Sequence, residues 1–357
     1  MTLARELADT AGRPQVYKNL LINGGMNVWQ RSTSLSVSTD GYSTVDRFLT
    51  RIRGGAVYTI SRSTDTPSAQ GFGYSLKFDN TTADASPTSN DFTLLEQRIE
   101  GQNLQHLLKG TSSAKSLTLS FHIKSNLTGT FIARLYDNDN ARSISKSYTI
   151  SSANTWEKKE IVFEGDQTGV LDNDSGASLY LQLWFSAGTD YTSGTLQTTW
   201  GSSATIADIA PGISNLSSST SNELFITGCQ LEIGEAATDF EFEPYETVLR
   251  KCERYFTQYG GGNIQNWICL GSNVTSTVFD GIMEFPTSMR TSPTFSVTGS
   301  WNVYDGSIDT TSNWTSFSSD VKLANVRATT SSQTVGNCSR VYANNDINAR
   351  FKFDAEL

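Results

Sequence analysis

The stretch from Gly228 to Tyr259, GCQLEIGEAATDFEFEPYETVLRKCERYFTQY, constrains the chain more than any other because its pattern changes inside it. Leu224, Phe225 and Ile226 lie in a β-rich run just before it, and Gly234 with the Asp239 to Pro244 segment then breaks the periodicity, since proline cannot donate to a ladder. Beyond the break, Leu249, Cys252, Phe256 and Tyr259 recur at three- and four-residue steps, with Arg250, Lys251, Glu253 and Arg254 on the other faces. The spacing predicts a helix that begins near Glu246 or Thr247 and ends at Gly260-Gly261-Gly262, where glycine accepts a left-handed cap. Two domains are therefore expected, 19–243 and 261–357, with a linking helix over 244–260 and a short leading peptide over 1–18.

Composition sets the fold class. Serine and threonine make up roughly a quarter of the 357 residues, aromatics 11% and charged residues only 18%, with 28 glycines. Such a chain reads as all-β with many turns. Its net charge of −9 and its lack of a Lys/Arg run argue against nucleic acid as a partner. No apolar stretch approaches the length of a membrane span or forms a leader peptide, so neither membrane insertion nor secretion through a leader is expected.

Short strands follow one another from about Ala56 to Ile233, separated by Gly, Asn, Asp and Ser clusters. Leu117, Leu119, Phe121 and Ile123 alternate with Thr118, Ser120, His122 and Lys124, and Leu179, Leu181, Leu183 and Phe185 alternate with Tyr180, Gln182 and Trp184. The first set of each predicts a core, and the number and spacing of strands fit a jelly-roll sandwich. Two long polar loops are expected, Asp79 to Asn90 and Ser186 to Ser221. After the joint, Gly271 to Leu357 reads as a smaller β-domain whose core is modest on its own, a deficit that assembly of three copies would fill.

Catalytic patterns are scarce. His106 sits in a polar segment, His122 in the outward set of a strand, and there is no Gly-x-Ser-x-Gly elbow, phosphate loop or dinucleotide fingerprint. The four cysteines, Cys229, Cys252, Cys269 and Cys338, show no metal spacing and read as buried thiols. No cofactor is expected. Asp137-Asn138-Asp139-Asn140 and Asp172-Asn173-Asp174 could offer oxygens to a structural Ca²⁺, but such residues are also those of tight turns.

Sugar binding needs an aromatic face rimmed by hydrogen-bonding groups. Tyr180, Gln182 and Trp184 share one face of a strand, Arg134 and Tyr136 share a face of another, and Trp200 in the long loop could reach over them. The same face could instead pack against a loop, a domain or another subunit. In the C-terminal region, Trp301, Tyr304 and Trp314 are expected in exposed loops as contact residues, or in packing between copies.

Several motifs carry a family resemblance. NLLINGGMNVWQRSTS with DGYSTVDRF, FSAGTDYTSGTLQTTWGSS, QLEIGEAATDFEFEPYETVLRKCERYF and the closing NDINARFKFDAEL resemble, in order, segments of bacteriophage tail-fibre and related virion structural proteins. The first is more distantly similar to the opening strand of carbohydrate-binding jelly rolls. The resemblance implies an N-terminal attachment peptide docking on other virion proteins, in which Leu3 and Leu7 would make contact, although a disordered terminus explains it equally well. It further implies a glycan-binding sandwich, a homotrimeric tip, and a tail fibre, assembled in the host cytoplasm, that adheres to a host-surface glycan or protein. A capsid-decorating head fibre and a polysaccharide-degrading tail-spike enzyme are the alternatives. The 36 acidic residues leave a catalytic carboxylate pair open, while the lack of any internal repeat speaks against a long β-helix.

Overall fold

The computed structural model describes residues 18–261 and 266–357, so Leu3, Leu7 and Gly262 lie outside the described residues. The chain divides into two units, one formed by most of the sequence up to Glu243, the other by Pro244–Leu357 together with Val28–Ser32 and Val45–Arg47.

The first unit is an antiparallel jelly-roll sandwich. Its strands are β1 (Ser34–Val37), β2 (Leu49–Arg53), β3 (Val57–Ser63), β4 (Ser75–Thr82), β5 (Phe92–Glu100), β6 (Leu117–Ser125), β7 (Gly129–Asp137), β8 (Arg142–Ile150), β9 (Glu157–Phe163), β10 (Ala177–Ala187), β11 (Gly201–Ser202) and β12 (Glu223–Ile233). One sheet runs β1-β3-β4-β12-β6-β9 and the other β11-β8-β7-β10-β5-β2. Leu119, Phe121 and Ile123 of β6 and Leu179, Leu181, Leu183 and Phe185 of β10 are all buried, as the two-residue alternation requires. Aromatic rings join the sheets: Phe78 of β4 meets Phe185 at 5.2 Å, and Phe121 meets Tyr148 of β8 at 5.2 Å. The glycines of the NLLINGGM motif have a steric cause. A Cβ on Gly24 would lie 1.9 Å from the carbonyl oxygen of Cys229, whose amide donates to the Gly24 carbonyl at 3.0 Å.

The second unit holds helix α1 (Tyr245–Glu253) and strands β13 (Phe256–Gly260), β14 (Cys269–Thr275), β15 (Val278–Glu284), β16 (Thr294–Thr298), β17 (Trp301–Tyr304), β18 (Ile308–Thr311), β19 (Trp314–Ser319), β20 (Leu323–Thr329), β21 (Cys338–Ala343) and β22 (Arg350–Asp354). They form a three-stranded sheet, β13-β22-β16, and a seven-stranded one, β18-β17-β21-β14-β15-β20-β19. The helix expected to run through Tyr259 stops at Glu253. Phe256 to Gly260 instead pairs with Arg350–Asp354, and Gly260 and Gly261, at φ of 100° and 73°, close a strand where a helix cap was expected. An aromatic, threonine-bearing run suits a pleated surface once a distant partner strand is present. The buried side of α1 is carried by Val248 and Cys252, while Leu249 is only half-buried.

Charges are buried in this unit. Arg47, in a left-handed conformation at φ 72°, lies 3.4 Å over the Tyr255 ring and pairs with Glu356. Arg31 stacks 3.7 Å over Phe256 and pairs with Asp354 at 3.1 Å and Glu356 at 3.3 Å. Asp46 accepts from the Gln30 amide at 3.1 Å and its side-chain nitrogen at 2.6 Å, and Arg31 lies 3.7 Å away. Burial raises the Asp46 carboxyl to about 6, against the lowering pull of Arg31 and Gln30.

Candidate functional site

Five expected residues meet on the outer face of the second sheet. Strand register places Ser143, Tyr136, Tyr180 and Arg98 in one row, Ser145, Arg134, Gln182 and Glu96 in the next, and Ile132, Trp184 and Leu94 in the third. These residues alternate with core residues on β7, β10 and β5, which is why one strand pattern serves both the core and the site.

The middle row is a hydrogen-bond network centred on Gln182. Arg134 Nη1 donates to Gln182 Oε1 at 2.9 Å, Trp184 Nε1 donates to the same oxygen at 3.2 Å, and Gln182 Nε2 donates to Glu96 Oε2 at 2.6 Å. Glu96 is fully buried and also accepts from Arg98 at 2.7 Å and Arg51 at 3.5 Å. Burial lowers the Arg134 guanidinium to about 10, opposed by Tyr136 and Glu96. Burial also works against charged Arg98, but the Glu96 carboxylate outweighs it and holds Arg98 above its ordinary value. Gln182, Glu96 and the Arg134 Nη1 end are therefore fixed before any ligand arrives, while Arg134 Nε and Ser145 Oγ are buried without a hydrogen-bond partner.

The upper row is open. Tyr136 and Tyr180 are half-buried, with ring centroids 5.3 Å apart in an edge-to-face pair. Guanidinium groups flank them, Arg134 at 4.8 Å from the Tyr136 ring and Arg98 at 4.9 Å from the Tyr180 ring. The result is a rigid amphipathic platform of two phenols and two cations, able to pack against a sugar's C–H face while donating to its hydroxyls.

The lower row is closed. Trp184 is buried beneath the loop that follows β10, where Tyr191 meets it at 5.3 Å and Ile209 and Ala210 complete an apolar cluster with Phe92, Leu94 and Ile132. Here the expected face does pack against a loop. Trp200 does not join the platform: its Nε1 donates to the Glu164 carbonyl at 2.6 Å and its ring lies 5.1 Å from the Lys109 ammonium. Arg98 and Glu96 belong to the site and were missed, because Phe92–Glu100 is almost wholly buried and carries no visible alternation.

In the second unit, Trp301 and Trp314 are not loop residues. They are buried in β17 and β19 and pack on Phe351 at 4.6 and 4.7 Å. Tyr304 stays half-exposed, and the Arg340 guanidinium lies 4.3 Å from its ring and 4.2 Å from that of Trp267, an exposed residue that alternation did not single out.

The candidate calcium loops are occupied by protein groups. Asp137 pairs with the Lys109 ammonium and accepts from Asn140 Nδ2 at 3.0 Å. Asp139 accepts from the Asp172 amide at 2.9 Å, tying the two loops together, and Asp174 accepts from the Gly176 amide at 2.7 Å, the self-capping of an Asx turn. Among the described residues, no group of three or more His, Cys, Asp or Glu could hold a metal.

No protein-family model matches the chain, and no curated protein matches it. Among solved structures, the chain is similar to the enzymatically active domain of bacteriophage CBA120 tailspike protein 4, at 14% identity and a TM-score of 0.33, over 61% of this chain and 22% of that one. It is also similar to the carbohydrate-binding module TmCBM61 in complex with β-1,4-galactotriose, at 10% identity and a TM-score of 0.29, over 60% and 99% of the two chains. A third is the family 11 carbohydrate-binding module from Clostridium thermocellum in complex with a β-1,3-1,4-mixed-linked tetrasaccharide, at 13% identity and a TM-score of 0.29, over 57% and 98%. At these identities, what those proteins bind does not transfer to this chain.

Proposed function

We propose that the protein is a bacteriophage virion appendage, a tail fibre that adheres to the host surface by binding glycan on the outer face of its second sandwich sheet. The observation that carries this reading is the half-exposed Tyr136–Tyr180 pair at 5.3 Å, flanked by Arg134 and Arg98 and seated on a row held by the Arg134–Gln182–Glu96 hydrogen bonds. The role is binding without bond cleavage. Glu96, the carboxylate within the two rows, is buried and engaged by Arg98, Gln182 and Arg51, so it is not poised as an acid or nucleophile. Assembly as a homotrimer on the virion multiplies weak single-site contacts through effective concentration.

The test is a glycan array and host-polysaccharide binding assay with the whole chain, its Tyr180→Ala variant and its Tyr136→Ala variant. Loss of one aromatic contact is worth about 0.5–1.5 kcal/mol, so binding by Tyr180→Ala should weaken roughly two- to tenfold. Undiminished binding by both variants would remove the platform from the mechanism. Mass in solution, read by sedimentation, tests the trimer: a monomer at micromolar concentration contradicts it.

A further inference from the structure

Most of the exposed large hydrophobic side chains among the described residues lie in the second, smaller unit, and several of them share one row. Strand register sets Ile308 of β18, Tyr304 of β17, Arg340 of β21, Leu270 of β14 and Ile282 of β15 side by side across five neighbouring strands of the seven-stranded sheet. At about 4.8 Å between strands the row spans roughly 19 Å. The residues one position away, Val303, Val341, Cys269 and Met283, are buried in the core, so the row occupies the sheet's outer face. Trp267, just before β14, joins it through the Arg340 guanidinium, which lies 4.2 Å from the Trp267 ring and 4.3 Å from that of Tyr304.

Trp267, Leu270, Ile282 and Ile308 are each between 57% and 59% exposed. An antiparallel sheet with one face in water ordinarily carries polar side chains there, and the adjoining row does: Ser272, Asp280 and Arg327 stand in register, with Arg327 gripping Asp280 at 2.6 and 2.7 Å. The apolar row is therefore not a general property of this face. Beside it runs a groove of about 360 Å³, lined by Trp267, Ile268, Leu270, Ile282 and Glu284 among others. The four exposed side chains, with the open edge of Tyr304, offer on the order of 400–500 Å² of apolar surface. That approaches the roughly 500 Å² of apolar surface that each partner contributes to a standard interface between identical chains.

A saccharide is a poor match, since Leu270, Ile282 and Ile308 offer nothing to its hydroxyls. Charge points to a second copy instead. Arg340 and the exposed Glu284 lie on this same face, two strands apart, and neither pairs with an opposite charge among the described residues. A face that carries both signs can satisfy itself when two copies meet. We propose that the outer face of the seven-stranded sheet is the surface through which copies of this chain associate, burying Ile308, Leu270 and Ile282 between them and setting Arg340 of one copy against Glu284 of the next. It rests on the reading of the protein as a homotrimer and names the face that joins the copies.

The experiment is sedimentation of the full chain at micromolar concentration, as wild type, as Leu270→Lys and Ile282→Lys, as Arg340→Glu and Glu284→Arg, and as the Arg340→Glu/Glu284→Arg double variant. Leu270 and Ile282 are exposed in a single copy, so their variants should fold, which circular dichroism checks. The expected result is a trimeric wild type, loss of the trimer in both Lys variants and in each single charge reversal, and its recovery in the double variant. Val170→Lys, at an exposed site on the sandwich, should keep the wild-type mass. A trimer unaltered by Leu270→Lys and Ile282→Lys overturns this inference and leaves the homotrimer standing. A double variant no heavier than the single reversals overturns the Arg340–Glu284 contact. Should either Lys variant prove unfolded, the charge-reversal series decides by the same criterion of mass. A monomeric wild type overturns both readings.

Discussion

Replacing Lys109 by Met should destabilise the sandwich far more than its loss of one charge at the surface would suggest. The Lys109 ammonium is almost completely buried and is shared by four oxygens: Asp137 Oδ2, Asp166 Oδ2 at 3.0 Å, and the carbonyls of Thr168 and Gly169 at 3.1 and 3.0 Å. Asp166 keeps a second partner, since Arg142 grips it with nitrogens at 2.7 and 2.9 Å. Asp137 is fully buried and, among the described residues, keeps Asn140 as its hydrogen-bond partner, so the substitution strands its negative charge in a low dielectric. Removing one partner of a buried pair costs about 3–5 kcal/mol, which in a domain of this size lowers the sandwich's melting transition by roughly 6–20 °C. Calorimetry on the full chain measures the shift. The decisive comparison is Lys109→Met/Asp137→Asn, which removes both charges and should recover a large part of the loss. A single variant within about 1 kcal/mol of wild type, or a double variant no better than the single, would refute the stranded-charge reasoning.

Asp46 gives a pH dependence of unusual sign. Its folded value of about 6 lies above the ordinary 3.8, so the folded state holds the proton more tightly, and the resulting stabilisation is complete below about 4 and lost as pH rises to about 6. The change is worth about 3 kcal/mol across that window, and Asp46→Asn should abolish this part of the slope in denaturant melts; parallel curves for the two proteins would contradict it. Thiol chemistry separates the cysteines, all four of which are free. Burial pushes Cys269 up to about 12 and Cys229 and Cys252 well above their ordinary value, while Cys338 is exposed. One rapid equivalent should react with Ellman's reagent in the native protein and four after denaturation; two or more rapid equivalents would show that the buried sites open.

Period-two alternation in Leu117–Lys124 and Leu179–Phe185 was enough to give the core face of both sheets, because burial on one side of a pleat leaves a local signature. It could not say that Trp184 would be roofed by residues 191 to 210 while Tyr180, four positions earlier, stays open, since covering is a non-local event. The same limit explains Trp301 and Trp314, which sit among Asp, Ser and Thr in sequence and against Phe351 in space. Phe256 and Tyr259 fit a helical stripe as well as a strand, and only the distant Arg350–Asp354 partner decides between them. Glu96 and Arg98 gave no signal, their strand being buried on both faces.

The pairing of Arg47 with Glu356 across 309 residues also sets a clock. At a synthesis rate of about 5–20 residues per second, Arg47 leaves the ribosome roughly 15–60 s before the Glu356 carboxylate that pairs with it. Sandwich strands separated by tens of residues can pair during that interval. The second unit cannot close around Arg47 until Glu356 emerges, so Glu356→Gln, which keeps the side chain's length and removes its charge, would weaken that unit's packing and leave the sandwich strands to pair as before.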